Sequence, residues 1–545
     1  MRKTERKRNS SIKRDYYTIV AGLVFIGTMI FRIPLEHMIG DKGLACYGTV
    51  YEIYFVLGGM ISYGLSETVS ALVRYRVKRE QYKNAQKVLG SAVMLGGVLG
   101  AILGVLLGLL GHVISNRIFH IPLAGLSVCV MAPAIFFFIL TGVFRGYFQG
   151  NGSRIPAMHS QLLQIVILFA GGLIFCRIFS DYGSKVSALL QNEDYTSAYG
   201  AMGATLGLLI SSVLGFLHVL ILYLVFKENI KRQMSREMPK NQDSRFHIFH
   251  MLVGTGGMYF LYWFFFHGQT LSGELILMRF APNPGEILAS WGAYYGKVIP
   301  VIGSICGILS LICLPEVRKI VALQEREEYR LAREKLGALI HQSAVFGVPS
   351  AVFLAVFAES ILDILFGGNN AKTAVWLQFG SILIIFFLFS MIFMEFLLRS
   401  RKLVYVTGIG AGAFLLQAVL LVLMVKSESL GMLALIVAGI VFYTVTVVGG
   451  FILSGRKLQY RKEWIRGIIL TILSAALSGI IAMLLNKALA SLMGELLSFF
   501  LCLIVAIVVY LVILVVTRAF TAEELEKMPC GFLLIWLAGM FQIRE

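Results

Sequence analysis

Apolar runs of twenty or so residues, parted by short polar stretches, recur along the whole chain. A helix that crosses a bilayer needs about 20 mostly apolar residues. Fourteen segments have that length and character, at roughly 16–38, 47–73, 89–111, 121–144, 156–177, 199–226, 247–272, 290–315, 338–359, 373–398, 403–425, 430–454, 467–486 and 495–517. The first ends in Arg32-Ile33-Pro34 and lacks a small-residue cleavage site, so it reads as a span and not as a signal peptide. The pattern predicts an all-α polytopic membrane protein.

Composition sharpens this. Hydrophobic residues make up 58% of the chain and charged residues 14%, against about 45–50% and 25% in soluble proteins. A disordered chain, a disulfide scaffold and an ordinary cytosolic enzyme are excluded. The balance of 48 Lys and Arg to 30 Asp and Glu gives +18. In a membrane protein that excess reports topology first, not nucleic acid. Of the 48 cations, 38 fall in 1–15, 74–88, 145–155, 227–246, 316–337, 399–402, 455–466 and 518–545. These segments alternate across the fourteen spans, which places them and both termini in the cytoplasm. Seven scattered cysteines without a CxxC pair indicate neither a disulfide framework nor a zinc site. No GxxxxGK[ST] motif and no nucleophile–base arrangement is present, so no enzyme and no cofactor are expected. A membrane potential, or a Na+ or H+ gradient, is then the expected driver.

The sequence also repeats. At an offset of 248, Tyr47, Gly48, Val50, Gly59, Ser62 and Val69 meet Tyr295, Gly296, Val298, Gly307, Ser310 and Val317. YKNAQKVLGSA (82–92) then meets YRLAREKLGAL (329–339) at an offset of 247. The copies are six spans apart, an even number, so both have the same orientation. That predicts two six-helix lobes in a parallel pseudo-two-fold repeat, with a cavity between them. The lobes are expected at 1–226 and 247–454, joined by a polar cytoplasmic linker at 227–246. Two further spans at 455–517 and an amphipathic cytoplasmic tail at 518–545 follow.

A charge at the bilayer centre costs about 2.5–3.5 kcal/mol on insertion scales. Arg32, Glu52, Glu67, Glu274, Arg279, Lys297 and Glu395 therefore call for explanation, Glu274 and Arg279 standing at the outer end of span 7. Arg32 and Lys297 either snorkel to the outer head groups or face the inter-lobe cavity, one from each lobe, and attract an anion. Glu67 could pair with a cavity cation, bind a coupling ion or reach Arg74. Glu395 stands four residues before Arg399, the spacing of a helical ion pair. His159 and His218 read as hydrogen-bonded interior residues.

RGYFQGNGSRIPAMHSQLLQ (145–164) resembles the loop between spans 4 and 5 of stage V sporulation protein B-like transporters, with Arg145 opening the motif. YGTVYEIYFVLGGMISYGLSETVSALVRYRVKREQYKNAQKV (47–88) and VVTRAFTAEELEKMP (515–529) resemble the same group. These transporters sit in the multidrug/oligosaccharidyl-lipid/polysaccharide (MOP) flippase superfamily, near the MurJ-type lipid II flippases and the MATE exporters. The resemblance implies a two-lobe fold and a cavity in which cations hold a lipid pyrophosphate. Arg32 in Ile30-Phe31-Arg32 matches the span 1 cation of the lipid II flippases. SWGAYYGK (290–297) resembles their span 8 motif, with Lys297 replacing an Arg. The chain departs from them at His37-Met38, at Gln164 where a Glu is usual, and at VGTGG (253–257).

The resulting expectation is a monomeric flippase of the bacterial cytoplasmic membrane, surrounded by membrane lipids. It would move an undecaprenyl-pyrophosphate-linked anionic oligosaccharide, with Arg32, Lys297, Glu67, Glu52 and Arg145 at the substrate. A multidrug exporter for organic cations is the alternative, and Glu52 and Glu67 favour it.

Overall fold

The computed structural model describes residues 2–235, 243–281, 284–368, 370–426, 430–458 and 464–517. The tail at 518–545 lies outside these, as do residues 236–242 of the linker. Among the described residues there is no strand. Eighteen α-helices follow in order: α1 (Arg2–Ile53), α2 (Gly59–Val77), α3 (Tyr82–Val113), α4 (Gly125–Gly150), α5 (Ile155–Leu190), α6 (Asp194–Ser235), α7 (Arg245–His267), α8 (Gln269–Phe280) and α9 (Pro284–Ala293). The rest are α10 (Ile299–Glu325), α11 (Tyr329–Val356), α12 (Ala358–Phe366), α13 (Ala371–Gly380), α14 (Leu383–Arg399), α15 (Leu403–Lys426), α16 (Leu433–Leu458), α17 (Trp464–Met493) and α18 (Glu495–Val516). Single π turns occupy Tyr54–Gly58, Ile114–Ile118 and Tyr294–Val298.

Among the described residues, thirteen helical stretches are long and apolar enough to cross a membrane. The first, Ile19–Val77, has 59 residues, about 88 Å if straight. The hydrocarbon layer is only about 30 Å thick, so this stretch holds two spans. Gly40 parts them, at φ 64° and ψ −178°, a backbone state open to a residue without Cβ. The thirteen stretches thus contain the fourteen expected spans. This is a multi-pass membrane protein.

Sidedness can be tested at the two ends of α5. Asn151 precedes it and Asn192 follows it, both exposed. In intact cells, a membrane-impermeant thiol reagent should label Asn192→Cys and spare Asn151→Cys. Labelling of both from outside would contradict the fourteen-span topology.

The chain forms two compact units, one of residues 1–296 with 418–431, the other of 297–417 with 432–545. The boundary in packing therefore falls at 296/297, not in the polar linker at 227–246. Small residues explain the difference. Gly59 and Gly64 on one span of the first unit receive the side chains of Trp263 and Phe260 from α7. Close helix approach of this kind is what glycine permits in lipid, and it holds α7 in the first unit. Trp263 Nε1 also donates to the Phe55 carbonyl at 3.2 Å, inside the first π turn. The end of the linker is tied down as well. Arg76 Nε and Nη2 donate to Asp243 Oδ2 at 2.9 and 2.6 Å, the Asp243 N–H donates to Asn84 Oδ1 at 3.2 Å, and Ser244 caps α7 by accepting from the His247 N–H.

In the second unit the last two spans pack on α11. Phe353 and Phe357 meet Tyr510 and Phe499 edge-on, and the Tyr510 hydroxyl donates to the Val345 carbonyl at 2.9 Å.

Candidate functional site

Arg32 lies on α1 beside Pro34 and is only 7% exposed. Fifteen residues of straight helix would separate it from Tyr47 by about 22 Å. Instead its guanidinium sits 5.0 Å from the Tyr47 ring centroid and 5.5 Å from that of Tyr51. The break at Gly40 makes that approach possible. Tyr295 closes the third side, 4.7 Å away. Gly48 lets Tyr295 in, because a Cβ there would stand 2.5 Å from the Tyr295 ring. Tyr47 and Tyr295 are partners in the sequence repeat, and both contact the same guanidinium. Such stacking holds a cation in apolar surroundings at about 0.5–2 kcal/mol per ring. Arg32 Nη1 is buried and has no hydrogen-bond partner.

Two carboxyls share this neighbourhood. Glu52 Oε1 accepts from the Tyr295 hydroxyl at 3.0 Å. Glu274, on α8, is fully buried, and its Oε1 is paired with the Thr49 hydroxyl. That hydroxyl also donates to the Ala45 carbonyl at 3.0 Å. The second Glu274 oxygen, Oε2, has no partner. The first unit thus carries one caged arginine with two buried carboxyls nearby.

Lys297 belongs to the second unit and is 5% exposed. It lies in the π turn Tyr294–Val298. Pro300 follows, and because it has no N–H to give to the Gly296 carbonyl, the regular ladder cannot continue there. Lys297 Nζ donates to Asn370 Oδ1 at 3.4 Å and stands 5.8 Å from the Phe366 ring centroid. The Asn370 amide in turn donates to Asp363 Oδ1 at 2.9 Å and to the Gly367 carbonyl at 2.7 Å. Asn370 therefore bridges the ammonium to a carboxylate.

The other expected site residues are placed differently. Arg145 is buried at the end of α4, where its Nε donates to Ser160 Oγ at 2.7 Å and its Nη2 to Gln164 Oε1 at 2.5 Å. It links α4 to α5, and its polar contacts are internal. Glu67 is half-buried on α2. Glu395 pairs with Arg399 one turn on, as its spacing indicates. Sequence reasoning missed Tyr47, Tyr51, Thr49 and Tyr295 as members of the site, and it set Glu274 at a membrane edge. The doubled tyrosine in SWGAYYGK and its repeat partner Tyr47 were the available signal.

A solved structure described as the lipid II flippase MurJ in an inward closed conformation superposes with a TM-score of 0.62, at 14% identity, over 93% of this chain and 99% of that one. An inward-facing multidrug resistance MATE family transporter of the MOP superfamily superposes at 0.61, also at 14% identity, over 81% and 98%. The fold is thus shared with a lipid II flippase and a MATE family transporter. A profile of the polysaccharide biosynthesis protein family matches residues 15–264, most of the first unit of this chain. Stage V sporulation protein B of Bacillus subtilis (strain 168) is 21% identical over 379 residues, covering 68% of this chain and 69% of that protein. The two solved structures that share this fold are thus a flippase and a transporter by name.

Proposed function

We propose that this protein is a flippase that carries an undecaprenyl-pyrophosphate-linked sugar from the inner to the outer leaflet of a bacterial cytoplasmic membrane. The observation that carries the reading is Arg32, a buried guanidinium held by aromatic faces with one nitrogen left without a partner. A charge kept within a membrane span calls for a functional reason, and an unpaired guanidinium nitrogen is suited to a phosphate oxygen. Lys297, a buried cation of the second unit, adds positive charge along the path of the anionic head. The polar head crosses with its lost hydration offset by these cations, while the lipid tail stays in the bilayer. Alternating access moves the site from one side to the other, driven by an ion gradient or the membrane potential. The protein works as a monomer with both termini in the cytoplasm.

Glu52 and Glu274 give a second reading its one specific support, since buried carboxyls suit an organic cation and a multidrug exporter. Binding separates the two. Native mass spectrometry of the purified protein should retain undecaprenyl diphosphate in preference to undecaprenyl alcohol, and should show no retention of ethidium. Retention of ethidium without the diphosphate would overturn the flippase reading.

Lys297 gives a graded test. Lysine offers a point charge where arginine offers a bidentate fork. Lys297→Arg should keep most transport activity and Lys297→Glu should lose it. Equal transport by both variants, measured at matched membrane levels, would remove Lys297 from the site.

A further inference from the structure

The aromatic rings do not end at the cage around Arg32. Tyr51, 5.5 Å from the guanidinium, stacks on Phe55 at 6.1 Å with 9° between the planes. Phe55 meets Trp263 of α7 at 5.3 Å, and Trp263 meets Tyr63 of α2 at 4.9 Å. Tyr63 in turn faces Tyr259 and Tyr262 of α7, both at 6.0 Å. These are ordinary spacings for aromatic pairs, and they follow the second span without a gap from Tyr51 to Tyr63, about 18 Å of helix. The sequence explains the alignment. Tyr63 comes eight residues after Phe55, where seven would complete two regular turns. The π turn Tyr54–Gly58 takes up the extra residue, so Tyr63 returns to the face of Tyr51 and Phe55. On α7, Tyr259, Tyr262 and Trp263 stand at i, i+3 and i+4, one face of a helix. The Trp263 indole is held in place by its N–H, which the Phe55 carbonyl accepts.

All six rings are half-buried, so part of each stays uncovered. They differ in kind from the fully exposed side chains of a lipid-facing helix such as α3, where Val98, Ile102, Val105 and Leu109 are aliphatic. A polyprenyl tail asks for no more than such a methyl-rich surface. Rings that carry hydroxyls suit a ligand with apolar faces and a polar rim. A pyranose is such a ligand: C–H groups cover its faces and hydroxyls project from its edge. We propose that this face of α7 and the second span is a carbohydrate-binding track, which takes the sugar of the substrate while Arg32 takes the diphosphate. The track rests on the flippase reading above, and it names where the head group lies in that reading. Its continuity with the Arg32 cage puts sugar and diphosphate on adjoining surfaces of one unit. Stacking engages the flat face of a ring and no particular hydroxyl, as it does for bases on aromatic platforms. A run of rings therefore accepts sugars of differing substitution and lets them pass from one ring to the next.

Binding of two probes to the full-length protein tests this: undecaprenyl diphosphate, and the same lipid bearing N-acetylglucosamine. The wild type should hold the glycosylated probe more tightly. With two rings engaged, each worth about as much as an aromatic pair, the preference should be about 5- to 150-fold. Tyr63→Leu should erase the preference and leave affinity for the bare diphosphate unchanged. Tyr63→Phe should keep most of the preference, because the ring remains. Tyr262→Leu, at the margin of the track, should reduce the preference in the same selective way, and it provides the reading if Tyr63→Leu fails to fold. Equal affinity of the wild type for the two probes would overturn the track and leave the flippase reading standing. So would an equal loss for both probes in Tyr63→Leu, which would mean that the rings only pack the helices or hold the lipid tail. Failure of the wild type to bind either probe would overturn the flippase reading, and the track with it.

Discussion

Arg32→Ala should abolish lipid-diphosphate transport while the protein still reaches the membrane. The guanidinium touches three tyrosine rings and is the cation of a cluster that also holds Glu52 and Glu274. Its removal leaves a substrate anion without its counter-charge. A hydrogen bond to a charged group is worth about 1.5–3 kcal/mol, so affinity for undecaprenyl diphosphate should fall roughly 10- to 150-fold. Arg32→Lys should fall between wild type and the alanine variant. It restores the charge but neither the flat face that stacks on Tyr47 and Tyr295 nor the fork that meets a phosphate. Binding titration and transport at matched expression check this series. Wild-type affinity in Arg32→Ala would remove Arg32 from the substrate's path.

Asp243→Ala should destabilise the protein by about 3–5 kcal/mol, because it strands a buried arginine. The two partners are unequal. The Arg76 side chain is 5% exposed and that of Asp243 31%, so an orphaned Asp243 can turn to water and an orphaned Arg76 cannot. Arg76→Ala should therefore cost less than Asp243→Ala. The double variant should cost less than the sum of the two, since the penalty for the unpaired charge is removed with its partner. Denaturation of the three purified variants gives this ordering directly. Equal effects of the two single changes would show that the pair is solvated in the folded protein.

The spans were legible because lipid imposes one simple requirement, a long apolar run, on each of them. The two spans that share the stretch Ile19–Val77 show why hydropathy and helix continuity differ. Gly40 bends the chain while helical hydrogen bonding resumes at once on either side, so no polar loop marks the break. Arg32 and Lys297 were legible for the opposite reason, as charges where charge is costly. Their surroundings were not. Thr49 meets Glu274 across 225 residues, and no periodicity carries that pairing. Glu274 read as a residue at a membrane edge because one-dimensional hydropathy cannot show that α8 buries it. The linker suffered the same ambiguity. A polar stretch with many cations reads as solvated, yet its Asp243 is held by Arg76, and Gly59 and Gly64 draw the following helix into the first unit. Arg145 shows the converse: a cation in a family motif, it is satisfied within the fold by Ser160 and Gln164.

The central claim is that a lipid-linked diphosphate sugar is what crosses, and that buried cations carry it. Purified protein in liposomes loaded with a fluorescent undecaprenyl-diphosphate sugar measures this directly, by the fraction of label that becomes accessible to an external quencher or hydrolase over time. The account predicts time-dependent exposure with the wild-type chain, little above protein-free liposomes with the Arg32→Ala, Lys297→Ala double variant, and none of this dependence for a label on an uncharged lipid. Equal exposure by the wild type and the double variant, with both folded and equally incorporated, would contradict it.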